Sequence, residues 1–333
     1  MKTLVIAEIG VNHNGDSHLA KEMVAAAYES GADVVKFQTF KASEVMTSST
    51  PLADYMGDDD DNFLELARRL ELSFEQTVEL KEYTENLGVE FMSSPFDVPS
   101  TKLLANLGLK RLKIPSGETV NPFLMKAAAE TGLPLIISTG MCTLEEVDRS
   151  MKFLDMYNSG PVTLLHCTTQ YPAEFQNINL KAMKTLHDEF KVPVGYSDHT
   201  PGIEISLAAV AMGACVIEKH FTTDRTLPGP DQAASLIPSE LRDLVKGIRN
   251  IEKSLGNGLK KPFPEELEIA KVARKSLVTR EPLASGTVLS WENLTAKRPG
   301  TGIPAWDIDQ VCGKSINKDL PADYVLSPGD LSG

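Results

Sequence analysis

The chain has 333 residues, of which 42% are apolar and 24% charged. That is enough apolar material for a large core, and it excludes wholesale disorder. At about 150 residues per domain the length fits two domains, or one barrel of about 250 residues with an appendage. Thirty-three basic against 46 acidic residues leave a net charge of −13. Such a surface excludes non-specific binding to nucleic acid or anionic membranes, while leaving room for a local basic pocket for a small anion.

Cys142, Cys167, Cys215 and Cys312 are far apart and form no C-x-x-C pair. The spacing argues against a zinc ribbon or a disulfide framework and suits a reducing cytosol. The opening MKTLVIAEIGVNHNG has its apolar run cut by Glu8, so no secretory signal is read. No stretch has the apolar length needed to span a bilayer. A cytoplasmic location is expected.

In chain order, short β-branched runs are predicted as strands at 4–10, 33–39, 90–96, 111–117, 134–140, 162–168, 192–199 and 215–221. Helices are predicted between them at 18–30, 73–87, 143–157 and 180–190, with 239–255 after the last strand. Ser73 with Gln76, and Thr143 with Glu146, read as capping boxes. Residues 41–72 form an insertion carrying Asp58, Asp59, Asp60 and Asp61, read as a solvated loop because like charges in series repel. Eight strand–helix units are the pattern of a (β/α)8 TIM barrel. A doubly wound open sheet is the rival, but the first turn, GVNHNG, is neither G-x-G-x-x-G nor a P-loop. The barrel is placed at 1–256, followed by a linker with a short helix at 257–274. A small β-rich domain is placed at 275–333, with strand-like runs SLVTR and TVLSW.

Alternation along a strand puts one face toward the barrel axis, and the last strand residues reach the C-terminal mouth, where barrel enzymes keep their sites. Helices cover the outside. The apolar Val35 and Phe37 therefore face out, and Lys36 and Gln38 face in. The same parity turns Lys113, Ile136, Ser138, Ser197, His199, Glu218, His220 and Glu8 inward. Two inward lysines with the hydroxyls of Ser94, Ser116, Ser138 and Ser197 point to an anion, phosphate or carboxylate, in preference to structural ion pairs, because a buried lysine needs a negative partner. His199 and His220, on adjacent strand ends, are either general acid/base or structural histidines or half of a divalent metal site that water or substrate would complete. His166 is a weaker candidate, and His13 has a turn role or a site role.

The motifs AEIGVNHNG, VVKFQTF, KIPSGE, ISTGM, HCTTQYP, GYSDHT, EKHFT, PGPDQ and KRPGTGI run in this order through nearly the whole chain. Together they resemble the sialic acid synthase family, comprising N-acetylneuraminate synthases and their legionaminic and pseudaminic acid relatives. The resemblance implies a barrel followed by an antifreeze-like SAF domain. It implies condensation of phosphoenolpyruvate with N-acetylmannosamine or 2,4-diacetamido-2,4,6-trideoxymannose, giving a nine-carbon 2-keto acid and phosphate. It further implies a divalent metal, Mn2+ or Mg2+, and a domain-swapped homodimer.

Carried over by motif, His199 and His220 resemble the metal ligands. Lys36, Ser94, Lys113, Ser116, Ser138 and Ser197 resemble the phosphoenolpyruvate group. Glu8, Gln38, Tyr171 and Asp231 resemble sugar contacts, and Glu118 lies near the reacting centre. Arg298 resembles the arginine that reaches into the other subunit. Thr169 stands where some members have asparagine, and Ser94 where some have threonine; both keep a hydrogen-bonding group. A metal-dependent aldolase or lyase on the same barrel, and a non-catalytic sugar-binding protein, are the alternative readings. The sugar's identity is not fixed by these motifs.

Overall fold

The computed structural model describes residues 2–47, 50 and 63–332. The acidic run at 58–61 lies outside the described residues. The chain forms two compact units, Met1–Gly256 and Asn257–Gly333.

In the first unit eight parallel strands form a barrel: β1 (Leu4–Gly10), β2 (Val34–Thr39), β3 (Glu90–Pro95), β4 (Leu112–Ile114), β5 (Leu135–Ser138), β6 (Val162–Cys167), β7 (Val194–Asp198) and β8 (Val216–His220). The ladders run in the order β3-β2-β1-β8-β7-β6-β5-β4. β3 and β4 are neighbours across the remaining seam. There Arg111, one residue before β4, grips Glu90 at the start of β3, with Nε 2.8 Å from Oε1 and Nη2 3.2 Å from Oε2.

The outer layer is α1 (Ser17–Glu29), α4 (Phe74–Asn86), α5 (Val98–Asn106), α6 (Pro122–Glu130), α7 (Leu144–Met156), α8 (Ala182–Phe190), α9 (Glu204–Ala211) and α10 (Pro238–Ser254), while the short α2 (Ala42–Val45) and α3 (Phe63–Leu70), between β2 and α4 in the chain, border the C-terminal mouth. Both capping boxes form. Ser73 Oγ accepts from the Gln76 amide at 3.2 Å while the Ser73 amide donates to Gln76 Oε1 at 2.8 Å. Thr143 and Glu146 repeat the arrangement at the start of α7. β4 is shorter than the predicted 111–117. Pro115 has no N–H for a ladder, and the chain tightens into a 3-10 turn over Ser116–Glu118.

Val35, Phe37, Phe91, Leu112, Ile114 and Ile137 face outward and pack in the large core beneath the helices. The interior is layered, as alternation requires. Ile6, Val34, Met92, Ile136, Leu165 and Val216 form a separate apolar plug inside the barrel. Two residues further along these strands stand Glu8, Lys36, Ser94, Ser138, Cys167 and Glu218. A polar layer thus lies directly above an apolar one.

The second unit begins with the stretch expected as a linker, half of which is a regular helix, α11 (Pro264–Ala273). β9 (Ser276–Thr279) pairs antiparallel with β10 (Leu294–Lys297) over a small core that includes Leu277, Leu283, Leu294, Ile316 and Leu326. TVLSW is not a strand: Val288 makes a single bridge to Ser315, and Leu289 enters the core instead. Among the described residues no helix is long and apolar enough to cross a membrane.

Candidate active site

The polar layer opens into a cavity of about 270 Å³ at the C-terminal mouth of the barrel. Its lining contains Glu8, Lys36, Gln38, Ser94, Lys113, Ser116, Ser138, Thr169, Tyr171, Ser197, His199, His220 and Asp231. These positions are spread over more than two hundred residues of chain, and strand register brings them together. Glu8 is level with Lys36 on one side and His220 on the other, while Ser197 is level with Glu218.

Lys36 and Lys113 are only 3% and 2% exposed. Neither lysine depends on an outside anion for a partner, because the chain supplies carboxylates of its own. Lys36 Nζ lies 2.7 Å from Glu8 Oε2 and 3.8 Å from Glu218 Oε2, and donates to Ser94 Oγ at 3.0 Å. Lys113 Nζ donates to Ser138 Oγ at 2.7 Å and to the Ile114 carbonyl at 3.3 Å, with Glu218 Oε1 at 3.4 Å. Ser197 Oγ donates to the same Glu218 oxygen at 3.1 Å, and Gln38 Nε2 donates to Glu8 Oε1 at 3.1 Å. Glu218 is turned inward by strand parity, which does not show its partners. It is the hinge of the network, and only the register of β8 against distant strands reveals this.

The two carboxyls are not equivalent. Burial and the neighbouring Glu218 charge push Glu8 up to about 7, against the pull of Lys36 and Gln38. Burial also works against Glu218, but Lys113 and Lys36 outweigh it and hold that carboxyl below its usual range. Burial lowers Lys113. With Glu8 protonated, one carboxylate faces two lysines, and the layer has positive character to offer an anion.

Backbone shape matters at two glycines. Gly10 has φ +57°, and a side chain there would crowd Gln38 Nε2 and Glu8 Oε1. A Cβ on Gly140 would stand 2.2 Å from Thr169 Oγ1 and 2.7 Å from Ser116 Oγ. Gly140 leaves that cradle open, and its amide donates to Ser116 Oγ at 3.1 Å.

His199 and His220 end β7 and β8 with ring centroids 5.5 Å apart. Tyr171 packs on His199 at 4.1 Å and meets His220 edge-on at 5.6 Å. His199 Nδ1 is bonded to the Thr168 carbonyl at 2.7 Å, which fixes the ring and leaves Nε2 as its lone-pair nitrogen. His220 Nδ1 is buried without a hydrogen-bond partner, 3.7 Å from Asp231 Oδ2. Burial pushes the Asp231 carboxyl up to about 6, partly offset by His199 and Lys36. Among the described residues no three His, Cys, Asp or Glu side chains gather as a complete metal cluster. The donor set of two imidazoles, one with an orphaned buried nitrogen, fits a divalent ion whose other ligands are not protein side chains.

Four further candidates have contacts of their own. Glu118 is not among the residues lining the cavity; its carboxylate accepts from Asn121 Nδ2 at 2.6 Å, and half-burial raises its pKa. Arg298 belongs to the second unit, where it is exposed and its Nε donates to the Ala273 carbonyl at 3.0 Å. His166 Nε2 is 2.6 Å from the Ile178 carbonyl, a structural contact. His13 is a buried turn residue, its Nδ1 accepting from the Gly15 amide at 3.0 Å.

Residues 23–260 match the NeuB family and residues 274–332 match the SAF domain. The chain belongs to the NeuB family. It is 49% identical to an N,N'-diacetyllegionaminic acid synthase of Legionella pneumophila, over 98% of this chain and 94% of that one. It is 46% identical to a protein of the same name from Campylobacter jejuni, over 98% and 99%. A solved structure of an N-acetylneuraminic acid synthetase from Leptospira borgpetersenii, in complex with citrate, superposes with a TM-score of 0.74 at 36% identity. It covers 81% of this chain and 90% of that one.

Proposed function

We propose that this NeuB-family chain is a nonulosonic acid synthase. It condenses phosphoenolpyruvate with an N-acylated mannosamine-type sugar, giving a nine-carbon 2-keto acid and phosphate. The observation that carries the reading is the Lys36–Lys113 layer, buried, edged with hydroxyls and open to a cavity whose other strand ends hold two histidines. The names of the relatives agree with it.

Lys36 and Lys113, with Ser94, Ser116, Ser138 and Ser197, bind the phosphate and carboxylate of phosphoenolpyruvate, and Thr169 and Gly140 border that cradle. Gln38, Tyr171 and Asp231 orient the open-chain sugar. The enol carbon C3 attacks the sugar's aldehyde carbon, and the aldehyde oxygen takes up a proton. Water adds at C2, where positive charge develops, and the C2–O bond breaks so that phosphate leaves with its bridging oxygen. Glu8, with a pKa of about 7 and a position on the cavity wall, is the group poised to exchange a proton near neutral pH. Glu118, tied to Asn121, is assigned a supporting role at most. His199 and His220 would hold a manganese or magnesium ion, which when bound would polarise the aldehyde as a Lewis acid.

The family resemblance supports a domain-swapped homodimer in which Arg298 of the partner subunit completes the sugar site. Mixing R298A and K113M variants tests this, since crossed sites restore activity in the mixture and uncrossed sites leave it dead. The reaction itself is tested by incubating the protein with phosphoenolpyruvate, either sugar and Mn2+, with and without a chelator. Sugar-dependent phosphate release, lost on chelation, is the expected result. No release with either sugar refutes the reading.

A further inference from the structure

The cavity has a second wall that the polar layer does not explain. α3 carries Phe63, Leu66, Ala67 and Leu70 at the i, i+3, i+4, i+7 spacing of a single helical stripe. Such a stripe normally lies against the core. Here all four residues line the cavity, joined by Val45 and Met46 at the end of α2.

The wall is held in place by the chain around it. The Lys41 amide donates to Asp97 Oδ2 at 2.8 Å and the Ala42 amide to Glu71 Oε1 at 2.5 Å, which pins the start of α2. Gly15, with φ +78°, lets the turn after β1 close on the end of α3. A Cβ there would stand 2.3 Å from the Arg69 carbonyl oxygen. The six side chains of the wall offer no hydrogen-bond donor or conventional acceptor.

We propose that this wall selects the sugar. It accepts the methyl groups of a 6-deoxy, 4-acetamido sugar and disfavours one that would bring hydroxyls to the same place. The inference rests on the synthase reading above. The two sugars expected from the motifs differ in the relevant respect. N-acetylmannosamine has hydroxyls at C4 and C6, whereas 2,4-diacetamido-2,4,6-trideoxymannose has an acetamido group and a methyl. A hydroxyl pressed on an apolar wall loses its water without gaining a partner. A methyl gains contact there. An apolar pocket distinguishes such groups by about 10- to 100-fold.

The test measures kcat/KM for both sugars, with phosphoenolpyruvate and Mn2+, in the wild type and in Leu66→Gln and Met46→Gln. Leu66 and Met46 are only half-buried, and melting curves verify that each variant is folded. The wild type is expected to prefer the diacetamido sugar by at least about 10-fold, and each polar substitution is expected to shrink that ratio several-fold. A wild type that uses N-acetylmannosamine equally well or better overturns the proposal while leaving the synthase reading intact. So do variants that slow both sugars in proportion. Phosphate from neither sugar brings down the synthase reading, and the wall's role with it.

Discussion

Lys113 and Lys219 are buried to the same extent in the same barrel, each 2% exposed, yet their surroundings differ in kind. Lys219 sits on the outward face of β8. Its Nζ donates to Asp198 Oδ2 at 2.9 Å and to the Thr200 carbonyl at 2.6 Å. Asp198 is itself saturated by the Thr200 amide, the Thr200 hydroxyl and Ser206 Oγ. That cluster is closed, and none of its members borders the cavity. Lys113 also has protein partners, but it faces the cavity and shares Glu218 with Lys36 and Ser197. A buried charge is therefore no sign of function by itself. The distinguishing property is whether the network opens onto space that a ligand can enter.

Removing each lysine in turn separates the two roles. Lys219→Met leaves Asp198 buried and uncompensated, which costs about 3–5 kcal/mol and lowers Tm by about 10 °C. Activity per folded molecule stays close to wild type, as calorimetry alongside turnover will measure. Lys113→Met has the opposite profile. Turnover falls by about 10²–10³-fold, the scale of losing one preorganised charge donor, while Tm moves far less because Lys36 and Ser197 still accompany Glu218.

His13 sharpens the contrast as a buried group that must stay neutral. Burial lowers its pKa to about 4, below the ordinary value for an unfolded chain. The unfolded state therefore binds the proton more tightly, and the stability that His13 contributes is complete above about pH 6.5 and lost as pH falls toward 4. The loss reaches about 3 kcal/mol. Urea unfolding of the wild type and His13→Gln across pH 4–7 is expected to show a flatter acid limb in the variant; parallel curves would refute the assignment. Ser73→Ala, at a cap far from either lysine, is expected to cost about 1 kcal/mol with turnover unchanged.

Parity along each strand gave the inward set because helices force the other face to be apolar, and this made the barrel and most of the cavity lining readable. Pairing was not readable. Glu218 meets Lys113 and Lys36 across more than a hundred residues of sequence, and register between parallel strands is set by the assembled sheet. Nor was the destination of a loop residue: Glu118 adjoins an inward motif, yet the 3-10 turn after Pro115 carries it to Asn121. The α3 stripe has ordinary helical spacing, so sequence alone could not tell a core-facing stripe from a cavity-facing one. Outward Lys219 broke the apolar rule for that face, and its partner Asp198 explains why it is tolerated.

The most direct test of the central claim runs the reaction in H2(18)O with phosphoenolpyruvate, sugar and Mn2+, and weighs both products. One phosphate per nine-carbon acid is expected, with no 18O in the phosphate, since water enters at C2 and the C–O bond breaks. Labelled phosphate, or free pyruvate in place of the nine-carbon acid, would contradict it.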